Sequence, residues 1–374
     1  MATSEPPFNI SILLPDLRGG GVERMRVRMA EEWISLGIGV EFVLNRATGE
    51  LMASIPKGAG AISLGATRIR SSFWPLVRYL RERRPGALLV AMWPLTALAP
   101  WAALVAGYNG RLVLSEHAPL SIANARRGAV YRTLMRASMR LSYPLAAARV
   151  AVSGGVADDM AALSGLPRSQ FTVIHNPAAS SGAGVVADVQ QLPSANRPLL
   201  LSVGNLKKVK RHDLLIEAFA HGPAKIGATL CILGEGAERP RLLRQIQSLG
   251  LAGQVLLPGF VSNAAPWYAT ADLFVLASDY EGFGNVLVEA LEHGTPIVCT
   301  DCPTGPREIL ADGKYGVLVP RGDVAALSKA MLEALSASHD RGLLRTRARD
   351  FSATAAANAY LKLMRPGSTV GGEA

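Results

Sequence analysis

Cysteine is scarce in this chain, and its scarcity excludes a disulfide-stabilised fold and a cysteine zinc site. Cys231, Cys299 and Cys302 are the only three among 374 residues, too few for a disulfide framework. Cys299 and Cys302 have a C-x-x-C spacing, but no second pair exists to complete a zinc site. We therefore expect buried thiols in a reducing compartment.

The sequence also lacks a secretory signal, because "MATSEPPFNI" has no basic segment followed by an apolar one, and we expect a cytoplasmic protein. One stretch, Ala87 to Gly107, has 21 residues without a charge, which meets the length of a transmembrane helix. Pro94 and Pro100 interrupt it, and it fits equally a buried strand followed by a helix that begins at a proline. We favour the strand and helix, with the membrane span as the alternative.

Motifs for nucleic acid and for metal are missing as well. The formal net charge is +10, from 39 Lys and Arg against 29 Asp and Glu, but no aromatic and basic repeat accompanies this charge, so we expect no nucleic-acid partner. No D-x-D pair of acids follows a strand, and we expect neither a metal site nor a cofactor.

What the sequence does contain is a repeated alternation of apolar runs and segments of helical period. The apolar runs are "FNISILLP", "VEFVLN", "ALLVAMW" and "RLVLSEH", then "LLLSVGN", "ATLCILGEG", "QVLLPGF", "LFVLAS" and "PIVCT". A polar passage over residues 176–198 separates the two groups. The pattern predicts parallel sheets covered by helices on both faces. We predict two doubly wound α/β domains, residues 1–195 and 196–350, with a boundary near Ala195.

Each half has a glycine-bearing loop between a strand and a helix, a place where backbone amides and the helix dipole attract anions. The first loop holds Gly19 to Gly21, and the second holds Gly282 and Gly284. The first lacks the G-x-G-x-x-G spacing of a nicotinamide dinucleotide site, and a tight turn alone is its alternative reading. A basic cluster precedes a helix in the second half and suits an oligophosphate, unless it is only a solvated face; its members are Lys207, Lys208, Lys210 and Arg211.

Two glutamates, Glu281 and Glu289, are eight residues apart. On one helix they would be about 12 Å apart, beyond the roughly 5 to 9.5 Å of hydrolytic carboxylate pairs. The spacing therefore disfavours a glycosidase. Carboxylates at two ends of an elongated ligand, with amides and lysines around a diphosphate between them, suit a nucleotide sugar.

The segment "EGFGNVLVE", residues 281–289, followed by "ALEHGTPIV", resembles the two-glutamate motif of a known family. The family is the retaining nucleotide-sugar glycosyltransferases of group 1, or family four, with the GT-B fold of two Rossmann-like domains facing across a cleft. The resemblance extends over most of the chain, through "GGGVER", "SEHAP", "VGNLKKVKRHDLLIEAF", "ILGEGAERPRL", "VLLPGF" and "TDCPTGPREIL".

The resemblance implies a role for each matching residue. Glu289 would hold the ribose hydroxyls, and Glu281 would hold the donor sugar. Lys210 would neutralise the diphosphate as it leaves, without a covalent intermediate on the protein. His117, as the third catalytic residue, would lie near the sugar and the acceptor.

The remaining donor-binding residues follow from the same resemblance. Gly20 and Gly21 would approach the phosphates from the first domain, and the loop Gly259, Phe260 and Val261 would meet the base. Amides of the second loop would surround the sugar, at Gly282, Phe283, Gly284, Asn285 and Val286. Asn205 stands where the family usually has an arginine; either a neighbouring cation replaces it or donor affinity is lower. A C-terminal helix, 351–374, would return to the first domain.

We therefore expect a retaining glycosyltransferase that moves a sugar from a UDP-hexose or UDP-N-acetylhexosamine to a hydroxyl. The acceptor would be a glycan or a polyprenyl-diphosphate-linked sugar in envelope polysaccharide synthesis. A sugar-nucleotide epimerase of the same fold and a non-catalytic partner subunit are the alternatives.

Residues 1–195 hold 20 of the basic but only 12 of the acidic residues, and segments 68–84 and 125–140 mix arginines with apolar residues. This pattern predicts a peripheral association with an anionic membrane surface at the inner face of the cell membrane.

Overall fold

The computed structural model describes residues 8–18, 20–179 and 198–365. The chain divides into two compact units, Met1–Pro177 with Ala353–Ala374, and Ala178–Ser352. The predicted boundary at Ala195 lies outside the described residues. Each unit contains one sheet in which every pair of neighbouring strands is parallel.

The first unit has a seven-stranded sheet in the order β3-β2-β1-β4-β5-β6-β7. Its strands are β1 (Asn9–Leu14), β2 (Gly39–Leu44), β3 (Gly60–Ser63), β4 (Ala87–Ala91), β5 (Arg111–Glu116), β6 (Ala148–Ala151) and β7 (Thr172–Val173). The central strands are almost completely buried. Side chains on both faces of a parallel sheet are covered by crossover helices, which explains the continuous apolar runs.

The described residues of this unit form the helices α1 (Gly21–Ser35), α2 (Phe73–Arg83), α3 (Leu95–Ala106), α4 (Leu120–Ala123), α5 (Ala129–Ser142), α6 (Gly154–Ser164) and α14 (Ala353–Met364). The last of these packs on α1 although more than 300 residues separate them. The Trp33 indole donates to the Ala357 carbonyl (3.1 Å), and Tyr360 and Met364 lie in the same apolar core as Trp33. Residues 366–374 of the predicted returning helix lie outside the described residues.

The second unit has a six-stranded sheet in the order β10-β9-β8-β11-β12-β13. Its strands are β8 (Leu199–Val203), β9 (Thr229–Leu233), β10 (Val255–Gly259), β11 (Leu273–Leu276), β12 (Ile297–Thr300) and β13 (Val317–Val319). Its helices are α7 (His212–His221), α8 (Arg239–Ser248), α9 (Ala265–Thr270), α10 (Asn285–Glu292), α11 (Pro306–Ile309), α12 (Val324–Ser336) and α13 (Arg341–Ala348).

The strand order reverses once in each sheet, between β1 and β4 and between β8 and β11. The loops that follow these strands diverge there and leave a crevice at the carboxyl edge, where ligands of such folds bind. The predicted doubly wound, Rossmann-like architecture is thus confirmed for both units. It also places the predicted site loops of each unit at the edge where a ligand is expected.

The uncharged stretch from Ala87 to Gly107 forms β4 and α3, as the favoured interpretation predicted. In the described part of the chain, no helix has both the length and the apolar character that crossing a bilayer requires. Cys231, Cys299 and Cys302 are buried free thiols.

Candidate functional site

The carboxyl edge of the second sheet brings Lys210 and Glu281 together. Lys210 ends a short 3-10 helix after β8, Lys208–Lys210, and Glu281 lies in the loop after β11. The Lys210 Nζ lies 2.7 Å from one carboxylate oxygen of Glu281 and 3.0 Å from the other. Both side chains are mostly buried, with 19% and 10% of their surface exposed. The pair therefore spans the point where the strand order reverses.

Two hydroxyls that the sequence analysis did not identify fix the Glu281 loop. The Ser278 hydroxyl donates to a Glu281 carboxylate oxygen (2.6 Å), and the Thr304 hydroxyl donates to the Glu281 carbonyl. Gly305 follows in the loop after β12 with φ of 85°. A Cβ there would collide with the Phe283 carbonyl, so only glycine lets the two loops lie this close.

The same loop continues into α10, whose N-cap is Gly284 at φ 103° without a side-chain cap. The first amides of an α-helix have no intrahelical partner, and they form a site for an anion or for sugar oxygens. Phe283 is buried and its ring packs edge-on against Phe351 (5.5 Å between centroids). Packing of this kind holds the backbone of Gly282 to Val286 in place.

Glu289 lies on the second turn of α10, not on one helix with Glu281. Its carboxylate accepts a hydrogen bond from the Tyr268 hydroxyl (2.8 Å), and its carbonyl pairs with His293 Nδ1 (2.8 Å). The His293 ring stacks on the Tyr268 ring. Tyr268 was not predicted from the sequence, because a tyrosine 21 residues upstream of Glu289 gives no sequence signal for this contact.

The other basic residues after β8 differ from Lys210 in their surroundings. Arg211 pairs with Asp279 (3.1 Å) and with Asp213 (3.2 Å), so its charge is neutralised within the loop. Lys207 and Lys208 are exposed, as is Asn205. Four cations were predicted to bind a phosphate. Of these, Lys210 contacts Glu281, the acid that was predicted to bind the donor sugar.

The predicted base-binding loop lies at the end of β10, on the same edge of the sheet. Gly259 is buried at φ 98°, Phe260 is 59% exposed, and Val261 is half-buried. The Gly234 amide donates to the Gly259 carbonyl (2.8 Å), and the Gly204 amide donates to the Leu233 carbonyl (2.9 Å). The loops after β8, β9 and β10 are thus linked by their backbones.

Three predicted residues belong to the first unit. Gly20 is the N-cap of α1 and Gly21 is its first residue, with no side-chain cap; Gly19 lies outside the described residues. A Cβ at Gly20 would collide with the Glu23 carboxylate, and burial raises the pKa of Glu23. His117 follows β5, on the same edge of its sheet.

His117 is half-buried and is surrounded by groups that the sequence analysis did not identify. Its Nε2 lies 3.1 Å from the Ser115 hydroxyl and 3.4 Å from Nη2 of Arg26. Burial, and then the Arg26 charge, lower the pKa of His117 well below its ordinary value. The imidazole is therefore neutral at pH 7.

Glu116 points away from His117 into the first unit. Its carboxylate accepts hydrogen bonds from the Thr96 hydroxyl (2.5 Å), the Tyr143 hydroxyl (2.7 Å) and the Trp93 amide (3.2 Å). Burial raises the pKa of Glu116 to about 7. This carboxyl links β5 to α3 and to the loop after β4.

Comparison with known proteins assigns each half of the chain to a described family. Residues 19–179 match the model of the Glycosyltransferase Family 4, and residues 187–351 match that of the Glycosyl transferases group 1. The fold of this chain is similar to the solved structure of Anabaena HepE in complex with UDP-glucose. The similarity covers 94% of each chain, with a TM-score of 0.73 and 21% sequence identity.

Two curated relatives share more sequence over shorter regions. One is the N-acetylgalactosamine-N,N'-diacetylbacillosaminyl-diphospho-undecaprenol 4-alpha-N-acetylgalactosaminyltransferase of Campylobacter jejuni, 45% identical over 32% of this chain and 32% of that protein. The other is the lipopolysaccharide core biosynthesis glycosyltransferase LpsE of Rhizobium meliloti, 33% identical over 49% of this chain and 55% of that protein. The chain thus spans about a third to a half of the length of these curated relatives.

Proposed function

Because the chain belongs to the group 1 glycosyl transferases, with a family 4 first domain and the GT-B fold, we propose that it moves a sugar from a nucleoside diphosphate to a hydroxyl. The transfer would retain the anomeric configuration of the donor. The observation that carries this proposal is the Lys210–Glu281 pair at the strand-order reversal of the second unit. A cation and an acid in contact there suit a diphosphate joined to a polyhydroxylated ring.

The Lys210 ammonium has enough donor hydrogens to bind Glu281 and a diphosphate at the same time. An ammonium has three donor hydrogens, and Glu281 accepts from it at two oxygens. A diphosphate beside Lys210 would share the ammonium with Glu281 and leave a carboxylate oxygen for a sugar hydroxyl. Charge that builds on the departing diphosphate is stabilised by a cation already in place.

Glu289 and the α10 amides complete the donor site in this proposal. One Glu289 oxygen accepts from Tyr268, and a carboxylate has further lone pairs for ribose hydroxyls. The amides from Gly282 to Val286 would bind sugar and phosphate oxygens. Asn205 is exposed, and exposed Lys207 or Lys208 would supply the cation that the family usually has at its position.

The donor is proposed to carry UDP and a hexose or N-acetylhexosamine. The supporting facts are the relatives' names: HepE of Anabaena is solved with UDP-glucose, and the Campylobacter relative is an N-acetylgalactosaminyltransferase. The name of that relative also includes diphospho-undecaprenol. We accordingly propose a polyprenyl-diphosphate-linked or glycan acceptor of the envelope.

We also propose that metal is not required, because Lys210 and the helix amides would neutralise the diphosphate. The corresponding test is turnover in the presence of a chelator. Unchanged turnover is expected. Loss of turnover that magnesium or manganese restores would contradict this part of the proposal.

The exposed surface of helix α5, in the first unit, supports the proposal that a membrane presents the acceptor. Helix α5 buries only Met135, Met139 and Ser142, whereas Val130, Leu134 and Leu141 are each more than 60% exposed. These three lie within about 40° of one another around the helix, on a face turned away from the core. Exposed arginines lie on another face of α5, roughly 100° to 180° around the helix from this stripe, at Arg132, Arg136 and Arg140.

A helix with an exposed apolar stripe and a separate arginine-rich face has the pattern of a helix that lies in the interface of an anionic bilayer. Each arginine near such a leaflet contributes about 1 kcal/mol. Helix α5 is linked to the β5 edge, because the Trp93 indole donates to the Ser138 hydroxyl (3.1 Å) and the Trp93 amide donates to Glu116. Glu116 immediately precedes His117, so these contacts connect α5 to the end of the strand that carries the predicted catalytic histidine.

A panel of UDP-sugars, each with and without a polyprenyl-diphosphate-linked acceptor extract, tests the proposal. Release of UDP that depends on the acceptor, with incorporation of the sugar into lipid, is the expected result. An epimerised sugar nucleotide without UDP release would indicate an epimerase. No turnover with any donor, together with donor binding, would indicate a non-catalytic subunit.

A further inference from the structure

Arg26 of α1 is fully buried in the first unit, yet no carboxylate pairs with it among the described residues. A guanidinium keeps its charge in proteins, and burying a charge without a counter-ion is costly. Its side-chain neighbours are neutral. A buried charge of this kind requires an explanation beyond packing, because an apolar residue would fill the same space at lower cost.

Four polar contacts and one ring contact fix the guanidinium. Nη1 donates to the Met29 sulfur (3.5 Å). Nη2 donates to the Ser115 hydroxyl (2.6 Å) and to the Tyr360 hydroxyl (3.3 Å), and it approaches His117 Nε2 (3.4 Å). The Arg26 Cζ lies 4.7 Å from the centre of the Tyr360 ring. Helix α14, which returns from the far end of the chain, therefore helps to hold Arg26 behind His117.

The contact with Arg26 favours one tautomer of His117. A guanidinium can only donate, so the nitrogen that faces it, Nε2, must accept. A neutral imidazole with Nε2 as the acceptor has its proton on Nδ1. The Ser115 hydroxyl accepts from Arg26 and donates to the Val90 carbonyl (3.1 Å), and its oxygen lies 3.1 Å from the same Nε2.

The other groups around the ring do not reverse this arrangement. Asn176, on the loop after β7, interacts with the imidazole and by itself favours the charged form, but burial and Arg26 outweigh it. Glu116, the neighbouring acid, directs its carboxylate to Thr96 and Tyr143 instead. Tyr360 contributes a neutral hydroxyl. Arg26 is thus the one charged group of the described residues that contacts the ring.

We propose that Arg26 is a positioning residue that holds His117 as a neutral imidazole, with Nε2 as the acceptor and the proton on Nδ1, and that Tyr360 of α14 holds Arg26 in place. His117 then acts as a hydrogen-bond donor through Nδ1 and never as a cation. If the proposed glycosyl transfer is correct, His117 would bind a substrate oxygen as a neutral hydrogen-bond donor.

Nitrogen-15 NMR of the imidazole rings tests this without any substrate. The chain has six histidines, and the His117 signals are those that disappear in His117→Gln. In the wild-type protein we expect a protonated Nδ1 and an unprotonated Nε2 from about pH 8 to about pH 5, a range in which an ordinary histidine titrates. A protonated Nε2, or a ring that becomes charged near pH 6.5, would overturn the proposal.

The Arg26→Met variant removes the charge and keeps an unbranched side chain. We expect His117 to become protonated at a higher pH than in the wild type, while Arg26→Lys, which keeps a charge, leaves it neutral. Arg24→Met, on the exposed face of α1, is the matched control and should change nothing. Identical titration of His117 in Arg26→Met and Arg24→Met would refute the role of Arg26.

Should Arg26→Met fail to fold, Tyr360→Phe still tests the arrangement, because it removes one hydrogen bond to the guanidinium and keeps the ring. The His117 pKa should then rise by less than in Arg26→Met, and no change would contradict the role of α14. If the protein proves to be a transferase, kcat/KM of the wild type should not change as the pH is lowered below 7. In Arg26→Met, kcat/KM should fall at low pH. An inactive protein with the expected NMR signals would contradict the proposed function alone.

Discussion

At the scale of single residues, the Glu289 carboxylate accepts a hydrogen bond from the Tyr268 phenol. The Tyr268→Phe variant removes this hydrogen bond and should lower the free energy of unfolding by roughly 1.5 to 3 kcal/mol, as expected for a bond to a charged group. If Glu289 holds the ribose, its freed side chain should raise the KM for the donor by about tenfold, or ~1.4 kcal/mol. Thermal unfolding and donor titration measure the two effects. A stability loss with an unchanged KM would remove Glu289 from the donor site.

The sequence predicts the candidate site residues themselves but not the partners that contact them in the structure. Glu281, Gly284 and Glu289 are close in sequence and form a motif, so their pattern is visible. Lys210 and Glu281 are 71 residues apart, and only the parallel strand order brings β8 beside β11. Ser278 and Thr304 are common residues whose hydroxyls matter through geometry alone. The contact of Arg26 with Tyr360 spans 334 residues and has no local signal.

At the scale of elements, the loop after β12 supports the loop that carries Glu281. Gly305→Ala introduces a Cβ against the Phe283 carbonyl in the left-handed region. Gly322→Ala is a matched control, because Gly322 has a similar φ of 77° and open space around it. Both variants should lose about 1 kcal/mol or more from backbone strain. Only Gly305→Ala should also reduce turnover at least tenfold; equal turnover in both would show that the loop contact is not needed.

Helix α5 gives a second prediction at this scale. Substitution of Val130, Leu134 and Leu141 by Ser should reduce sedimentation with phosphatidylglycerol vesicles, and substitution of Arg126, Arg127, Arg132 and Arg136 by Ser should do the same. Binding of the wild type should weaken as salt rises, because the Debye length falls from about 10 Å at 0.1 M to about 3 Å at 1 M. The control replaces Leu243 and Leu249, exposed apolar residues of the second unit, by Ser. Equal binding to neutral vesicles, or none to anionic ones, would contradict a membrane role.

At the scale of the whole molecule, the apolar runs predicted nine strands and the doubly wound class. Long strands such as β1 and β5 have enough consecutive apolar residues to be recognised. The strands β3, β6, β7 and β13 were not predicted, because each has only two to four residues and pairs at or near the edge of its sheet. The order of strands depends on crossover helices and could not be derived from apolar periodicity alone.

The buried Glu116 should make the stability of the whole fold depend on pH. Its pKa is about 7 in the folded protein against 4.5 in the ordinary state, so the folded state holds a proton that the unfolded state releases between these values. Stability from this group is complete below about pH 4.5 and is lost as pH rises to about 7. Relative to wild type, Glu116→Gln should therefore gain stability as pH rises through this window. Chemical denaturation of both proteins at several pH values measures the difference, and parallel curves would contradict the buried proton.

Acceptor-dependent release of UDP by the wild type, Lys210→Met and the exposed control Lys225→Met tests most directly whether this chain transfers a sugar from a nucleoside diphosphate. We expect Lys210→Met to stay folded and to lose at least about 100-fold in turnover, as for removal of one preorganised transition-state contact. Lys225→Met should match the wild type, and the sugar linkage of the wild-type product should keep the configuration of the donor. Near-normal turnover in Lys210→Met would contradict the role of Lys210 at the diphosphate, and an inverted linkage would contradict a retaining transfer.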